Sequence, residues 1–79
     1  MRYSTNTKLS TADVLRRATE FFGPDGVGLT PIEGESGAMR FEAADGFVEV
    51  SASGDGPTEV ELVTREYDFD TKRFMARIG

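Results

Sequence analysis

The sequence predicts an α+β fold in which two helices pack on one face of a four-stranded antiparallel meander. Three observations support this prediction: an amphipathic helical pattern near each end of the chain, a period of two between them, and glycine-rich turns within that middle stretch. The expected order is an optional N-terminal edge strand, a helix, four strands and a helix. No linker or repeat divides residues 1–79, so we expect one domain over that whole range.

The first helix is expected to begin after Ser10. Residues 10–13 have the sequence Ser-Thr-Ala-Asp, a relative of the capping box whose side-chain oxygens accept from free N–H groups of the first turn. Gly23 and Pro24 are expected to end the helix, because glycine suits the C-terminal cap and proline does not continue a helix. The apolar residues of this segment share one stripe on a helical wheel: Val14, Leu15, Ala18, Phe21 and Phe22.

The middle of the chain alternates between apolar and polar residues, which predicts strands. Asp45-Gly46 is a strong hairpin signal, because both residues tolerate a positive φ in a two-residue loop. Such a loop would pair Phe41 with Val50 on the apolar face. The two strands that it would join are Met39–Ala44 and Phe47–Ala52.

The same reasoning sets the other two hairpins. A three-residue loop at residues 54–56 would place Val48 opposite Leu62, and a turn at residues 34–36 would place Leu29 opposite Phe41. All four residues are apolar and share one face, so the expected pairing and the apolar pattern agree. The result is a meander with one coherent core face.

The two ends of the chain are less sharply defined. A terminal helix is expected over roughly Asp70 to Ile78, with Thr71 and Phe74 on its apolar stripe. Phe69 lies off that stripe if the helix begins earlier, and it continues the strand alternation if the helix begins later, so both interpretations stay open. Residues 2–8 are rich in Thr, Ser and Tyr, which predicts the optional edge strand.

The composition argues against most enzyme chemistry. The chain contains neither cysteine nor histidine, which excludes disulfides, thiolate catalysis, cysteine-ligated zinc and a histidine general base. The glycine-rich residues 23–28 do not match the spacing of a phosphate-binding loop. We therefore expect no enzyme, no catalytic residue, no cofactor and no metal.

Charge and hydropathy exclude two further classes of partner. The formal net charge is −5, and the nine basic residues are scattered, so we expect no nucleic-acid binding, which requires a basic face. No segment approaches the roughly 20 apolar residues that span a bilayer, and residues 1–8 do not resemble a signal peptide. The sequence predicts a soluble, cytoplasmic protein without membrane contact.

The other face of the predicted sheet carries a row of carboxylates. In the expected pairing Glu42 lies opposite Glu49, which in turn lies opposite Glu61. Like charges that face each other directly destabilise a sheet. One interpretation is a site for a cation or a basic partner. The other is a solvated face that Arg40 and Arg65 neutralise.

An apolar pair accompanies this row. Phe47 would lie opposite Val63, with Ile32 near the edge. Either the terminal helix or the N-terminal strand covers this pair, or it belongs to an interface. The candidate interaction surface consists of Glu42, Phe47, Glu49, Glu61 and Val63.

The order of elements resembles START-like (helix-grip) domains. The stretch Tyr3–Phe22, a Ser/Thr-rich segment that runs into a capped helix, is similar to the opening of those domains. The stretch Gly56–Ile78, a long strand that leads into an amphipathic helix, is similar to their end. The resemblance implies a sheet curved around the C-terminal helix with a hydrophobic ligand between them. This chain is shorter, so it would be a cut-down version.

Two functional hypotheses follow. The first is a non-enzymatic binding or self-associating module that uses the outer sheet face or an exposed edge, with another protein or a second copy as partner, the latter giving a homodimer. The second is a small carrier of an apolar ligand between the terminal helix and the sheet. A plain hydrophobic core is the competing interpretation of the five residues that would line this pocket: Phe41, Val50, Leu62, Phe74 and Ile78.

Overall fold

A computed structural model of the chain describes residues 1–54 and 57–79. Its five antiparallel strands form one sheet with two helices, so the α+β prediction is confirmed and the optional strand is present. The elements in chain order are β1 (Arg2–Thr7), α1 (Thr11–Phe22), β2 (Thr30–Glu33), β3 (Ala38–Ala43), β4 (Gly46–Ser53), β5 (Thr58–Arg65) and α2 (Asp68–Ile78).

The strand order in the sheet is β1-β5-β4-β3-β2. Strands β2 to β5 form the expected meander, and β1 adds to it beside β5, with Tyr3 opposite Leu62. Met1 anchors this pairing, because its N-terminal ammonium group donates to the Thr64 carbonyl at 2.7 Å and its carbonyl accepts from the Thr64 N–H at 2.9 Å. Both helices bury their apolar stripes against the same face of the sheet.

Helix α1 has the caps that the sequence predicts. The Ser10 hydroxyl accepts from the Asp13 backbone N–H at 3.1 Å, which satisfies a donor of the first turn. At the other end the Gly23 N–H donates to the Thr19 carbonyl at 2.9 Å. The buried residues of α1 are Val14, Ala18 and Phe22.

An aromatic cluster connects the three parts of the core. The Phe22 ring of α1 lies 5.6 Å from the Phe41 ring of β3 and 5.2 Å from the Phe74 ring of α2. Helix α2 begins at Asp68, two residues before the expected start, because the φ of 74° at Glu66 interrupts the extended backbone just after β5. Phe69 is therefore helical, and 74% of it is exposed.

All three hairpin registers differ from the sequence prediction. Phe41 pairs with Val48 rather than with Val50, and its partner on β2 is Pro31 rather than Leu29. Val48 pairs with Thr64 in place of Leu62. Each partner moves by two positions, and because side chains alternate with a period of two, every residue keeps its predicted face.

In the β3–β4 hairpin the turn accounts for this difference. In the β3–β4 hairpin Ala43 pairs with Gly46, so the turn residues are Ala44 and Asp45 rather than Asp45-Gly46. Neither turn residue has a positive φ, so the conformational preference behind the prediction is not used. The predicted loop at 54–56 includes residues 55 and 56, which lie outside the described residues.

One buried hydroxyl leads to a stability prediction. The Thr71 side chain on α2 is fully buried, and its hydroxyl has no hydrogen-bond partner in the described part of the chain. Thr71→Val keeps the shape and removes this unsatisfied group, so we expect a gain of about 1 kcal/mol in the free energy of unfolding. Urea denaturation followed by circular dichroism measures it.

The matched control is the equally buried Thr58. Its hydroxyl donates to the Leu9 carbonyl at 2.6 Å, so Thr58→Val leaves that carbonyl without its partner. We expect this variant to lose about 1 kcal/mol. If both variants changed the free energy of unfolding in the same direction, the assigned hydrogen bonding of the two hydroxyls would be contradicted.

Candidate protein-binding surface

The outer face is the side of the sheet that points away from both helices. Helix residues cluster with the inward-pointing side chains of the strands, so neither helix covers the outer face. Its side chains come from alternate positions of all five strands. They are Arg2, Ser4, Asn6, Thr30, Ile32, Ala38, Arg40, Glu42, Phe47, Glu49, Ser51, Ser53, Glu59, Glu61, Val63 and Arg65.

Arg40 organises the centre of the outer face. Its Nε donates to Glu42 Oε2 at 2.5 Å, and a terminal guanidinium nitrogen donates to Glu49 Oε1 at 2.6 Å. The guanidinium carbon also lies 4.2 Å from the centre of the Phe47 ring, a cation–π distance. We call Arg40, Glu42, Phe47 and Glu49 the Arg40 cluster.

The predicted row of three carboxylates does not form. Glu42 lies opposite Phe47, and Glu61 lies opposite Ser51. Glu49 faces Arg40 on one side and Val63 on the other. The shifted register replaces two like-charge contacts by an ion pair, which is the physical reason for the difference. Over residues 1–54 and 57–79, no group of three or more acidic residues is placed to hold a metal ion.

The predicted neutralisation by arginine is confirmed in part. Arg40 binds two of the three predicted carboxylates, and Arg2 lies 3.2 Å from Glu61, the third. Arg65 instead lies opposite Phe47 and makes no ion pair with any described residue. The pair of Arg2 with Glu61 was not anticipated, because the sequence predicts β1 as an edge strand without indicating that β5 is its neighbour.

Neither α2 nor β1 covers the apolar residues of the outer face. Phe47 and Val63 are diagonal neighbours rather than the predicted direct pair, and both are half-buried within the sheet. Ile32 lies opposite Arg40 at the edge and is 42% exposed. The terminal helix packs on the other face and β1 extends the sheet sideways, so neither covers these side chains.

The helical side of the molecule has a groove that the sequence did not indicate. It lies between α1 and α2 and has a volume of about 580 Å³. Two arginines, Arg73 and Arg77, stand 5.4 and 5.3 Å from the Phe21 ring at its wall. The groove contains as many acidic as basic side chains, so its lining is formally neutral: Arg17, Glu20, Asp25, Asp70, Arg73 and Arg77.

Two tyrosines form hydrogen bonds near the start of α2. Tyr3 donates to Asp68 at 2.8 Å, and Tyr67 donates to Asp45 at 2.7 Å. Each hydrogen bond raises the pKa of its phenol, because an ionised phenolate would lose the bond and face a carboxylate. Both phenols therefore act as donors at neutral pH.

The five residues of the hypothetical carrier pocket lie inside the core. Each of them is at most 5% exposed. Phe74 packs against Phe22, and Phe41 packs against the same ring. A second groove of about 480 Å³, near Leu9, Pro57 and Ile78, lies at the end of the sheet instead. This packing favours the interpretation that the five residues form the hydrophobic core and do not line a ligand pocket.

A comparison with family models, curated proteins and solved structures found no match to this chain. The resemblance to helix-grip domains therefore stays a prediction. Within the described part of the chain, no helix is long and apolar enough to cross a membrane.

Proposed function

We propose that this chain is a non-enzymatic protein-binding module and that the outer face is its contact surface. The observation that carries the proposal is the position of both helices on one side of the sheet, which leaves the other side uncovered. The five predicted interaction residues all belong to that side: Glu42, Phe47, Glu49, Glu61 and Val63.

The Arg40 cluster suits such a role because its side chains are held in place before a partner arrives. Two hydrogen bonds and the contact with Phe47 fix the Arg40 guanidinium. A side chain that is already ordered loses little conformational entropy on binding. Arginine and aromatic residues are also enriched among the residues that contribute most to protein interfaces.

The charge of the surface favours a basic partner. The outer face has four glutamates against three arginines, and the whole chain has a net charge of −5. Arg40 and Arg2 already bind three of those glutamates, so the negative charge that attracts a partner comes mainly from the chain as a whole. We therefore expect a protein that presents Lys or Arg around an apolar side chain, with the apolar group on Phe47 and Val63.

The non-enzymatic part of the proposal is supported by the residue types available. The sequence contains neither histidine nor cysteine, and the Arg40 cluster binds two carboxylates into ion pairs. The cytoplasmic location expected from the sequence is part of the same proposal.

A peptide selection tests the function. A random library of displayed peptides is selected on the wild-type protein, and selected peptides are titrated into ¹⁵N-labelled protein. We expect the selected sequences to be rich in Lys, Arg and apolar residues. The amide shifts should map to β3, β4 and β5. Phe47→Ala should weaken binding by at least about tenfold, because it removes the central aromatic contact.

Phe69→Ala is the matched control, since Phe69 lies on the helical side and is 74% exposed. It should change the affinity by less than about twofold. If Phe47→Ala alters the fold, Glu61→Gln serves as a second surface variant. Peptides that shift only amides of α1 and α2, or that bind Phe47→Ala as tightly as the wild type, would contradict the proposal.

A further inference from the structure

The two edges of the sheet differ in the backbone groups that they expose. In an antiparallel sheet, alternate residues direct their N–H and C=O groups to opposite sides. The Ala52 N–H donates to the Gly37 carbonyl at 2.8 Å, which sets this alternation for β3 and, through the register, for β2. On β2, odd-numbered residues therefore direct their backbone groups outward.

The β2 edge has few free donors. Pro31 is an outward residue and has no N–H group. Leu29, the preceding outward residue, donates its N–H to the Phe22 carbonyl at 2.8 Å. Only Glu33 is left with an outward N–H, and its charge opposes pairing. This edge is protected against strand addition.

The β1 edge is unprotected. Met1 and Thr64 exchange both backbone hydrogen bonds, so the even-numbered residues of β1 direct theirs away from β5. These residues are Arg2, Ser4 and Asn6, and no other part of the described chain accepts from their N–H groups. Strand β1 has six residues and no proline. It therefore offers a row of free donors and acceptors.

We propose that β1 pairs with β1 of a second copy in antiparallel orientation, with the two-fold axis near Ser4. Arg2 then lies opposite Asn6 of the second copy, and Ser4 lies opposite its counterpart. Each such pair exchanges two backbone hydrogen bonds. Two five-stranded sheets thereby join into one continuous sheet.

The side chains of β1 are compatible with this pairing. On the inner face Tyr3 lies opposite Thr5 of the second copy, but its ring already packs under α2, where it donates to Asp68 at 2.8 Å and lies 5.8 Å from the Lys72 Nζ. The backbone and the outer-face side chains of β1 therefore carry the pairing. Arg2 is the only charged residue of β1. Its distance from Arg2 of the second copy is about 13 Å, four residues along a strand, which is beyond the Debye length of about 8–10 Å. Within β1 itself, no like charges face each other.

The protected β2 edge makes this assembly stop at two copies. A two-fold contact uses the same edge of both partners, so no free β1 edge remains. Because β2 does not accept strands, the sheet does not grow further. The assembly is therefore a closed dimer rather than a fibre.

The dimer extends beyond the proposed function, because it places two outer faces side by side. Five strands about 4.8 Å apart and about 20 Å long give one outer face a footprint of roughly 500 Å². A standard interface buries about 800 Å² on each partner. Two adjoining outer faces offer a partner about twice the contact area of one.

Hydrogen exchange of the wild-type chain tests the pairing residue by residue. Backbone bonds alone give weak association, with a dissociation constant on the order of 0.1–1 mM. We expect the amides of Ser4 and Asn6 to exchange several-fold more slowly at ~1 mM than at ~10 µM protein. The amides of Tyr3 and Thr5, which bond to β5, should not depend on concentration.

Two variants of Ser4 provide the matched comparison in sedimentation equilibrium. Ser4→Pro removes an outward N–H without touching the bonds to β5, so it should abolish the dimer. Ser4→Ala keeps the N–H and should leave the dissociation constant within about twofold. Should Ser4→Pro fail to fold, the exchange experiment on the wild type decides.

A chain that stays monomeric at ~1 mM, with exchange at Ser4 and Asn6 independent of concentration, would overturn the inference. A dimer that tolerates Ser4→Pro would also overturn it, since the contact would then lie elsewhere. The outer face is tested separately by the peptide titration, so failure of the dimer and failure of the binding surface are distinguishable.

Discussion

Replacement of Phe22 by alanine is expected to lower the free energy of unfolding by about 3–5 kcal/mol. The side chain is fully buried and contacts the rings of Phe21, Phe41 and Phe74, with centroids 5.0 to 5.6 Å away. These rings belong to both helices and to the sheet. A cavity at this point removes contacts on every side, and rigid strands on one of those sides limit how far the core relaxes.

The expected loss for Phe22→Ala is a large fraction of the total free energy of unfolding. A chain of 79 residues has a total stability of roughly 4–12 kcal/mol. Phe22→Ala should therefore unfold near room temperature or show a much lower urea midpoint. Urea titration followed by circular dichroism at 222 nm measures the effect.

Phe69→Ala is the control for this prediction. It deletes the same atoms from the same residue type at a position that is 74% exposed, so the change should stay within about 0.5 kcal/mol. Similar losses for both variants would mean that Phe69 is not exposed and that α2 has a different rotation. A small loss at Phe22 would contradict the central aromatic cluster.

The sequence was sufficient to predict the elements and their faces. Ser10, Gly23 and Pro24 mark the ends of α1 through local chemistry that needs no tertiary contact. The alternation in β3, β4 and β5 separates the core face from the outer face, because burial has the same period as the pleat. Both signals act within a few residues, so a single sequence is enough to read them.

The pairing register could not be obtained in the same way. Registers that differ by two positions put the same residues in the core, so the apolar pattern does not distinguish them. The difference is set by contacts between distant residues, such as Arg40 with Glu49 and Tyr67 with Asp45. The opposed glutamates argue against the predicted register, because like charges in direct opposition disfavour that pairing.

The sequence therefore predicts on which face of the sheet the candidate residues lie, but not which of them contact each other. Glu42, Phe47, Glu49, Glu61 and Val63 share the outer face, as the alternation indicates. Their mutual contacts depend on the register. The contrast between the two sheet edges depends on it as well, since the direction of each N–H group follows from which residues pair.

Replacement of Gly46 by alanine should lower the free energy of unfolding by about 1–3 kcal/mol. A Cβ at this position would lie 2.1 Å from the Arg65 carbonyl oxygen and 3.0 Å from the Arg65 carbonyl carbon. Both are backbone atoms that cannot rotate away. Moving them would displace Glu66, whose φ of 74° is already in the left-handed region that favours glycine. Urea denaturation measures the loss.

Gly46→Asn tests why glycine is needed. Asparagine tolerates a positive φ but carries a Cβ, so it should be as destabilising as alanine when close approach to Arg65 is the reason. If the glycine instead served a positive φ, as the Asp45-Gly46 loop of the predicted register requires, asparagine would restore most of the loss. Gly34→Ala is the control, because its nearest neighbour, the Ala38 carbonyl oxygen, lies at 3.4 Å, and the change should stay within about 0.5 kcal/mol. Rescue by asparagine would therefore contradict the β3–β4 register and, with it, the contacts of the Arg40 cluster.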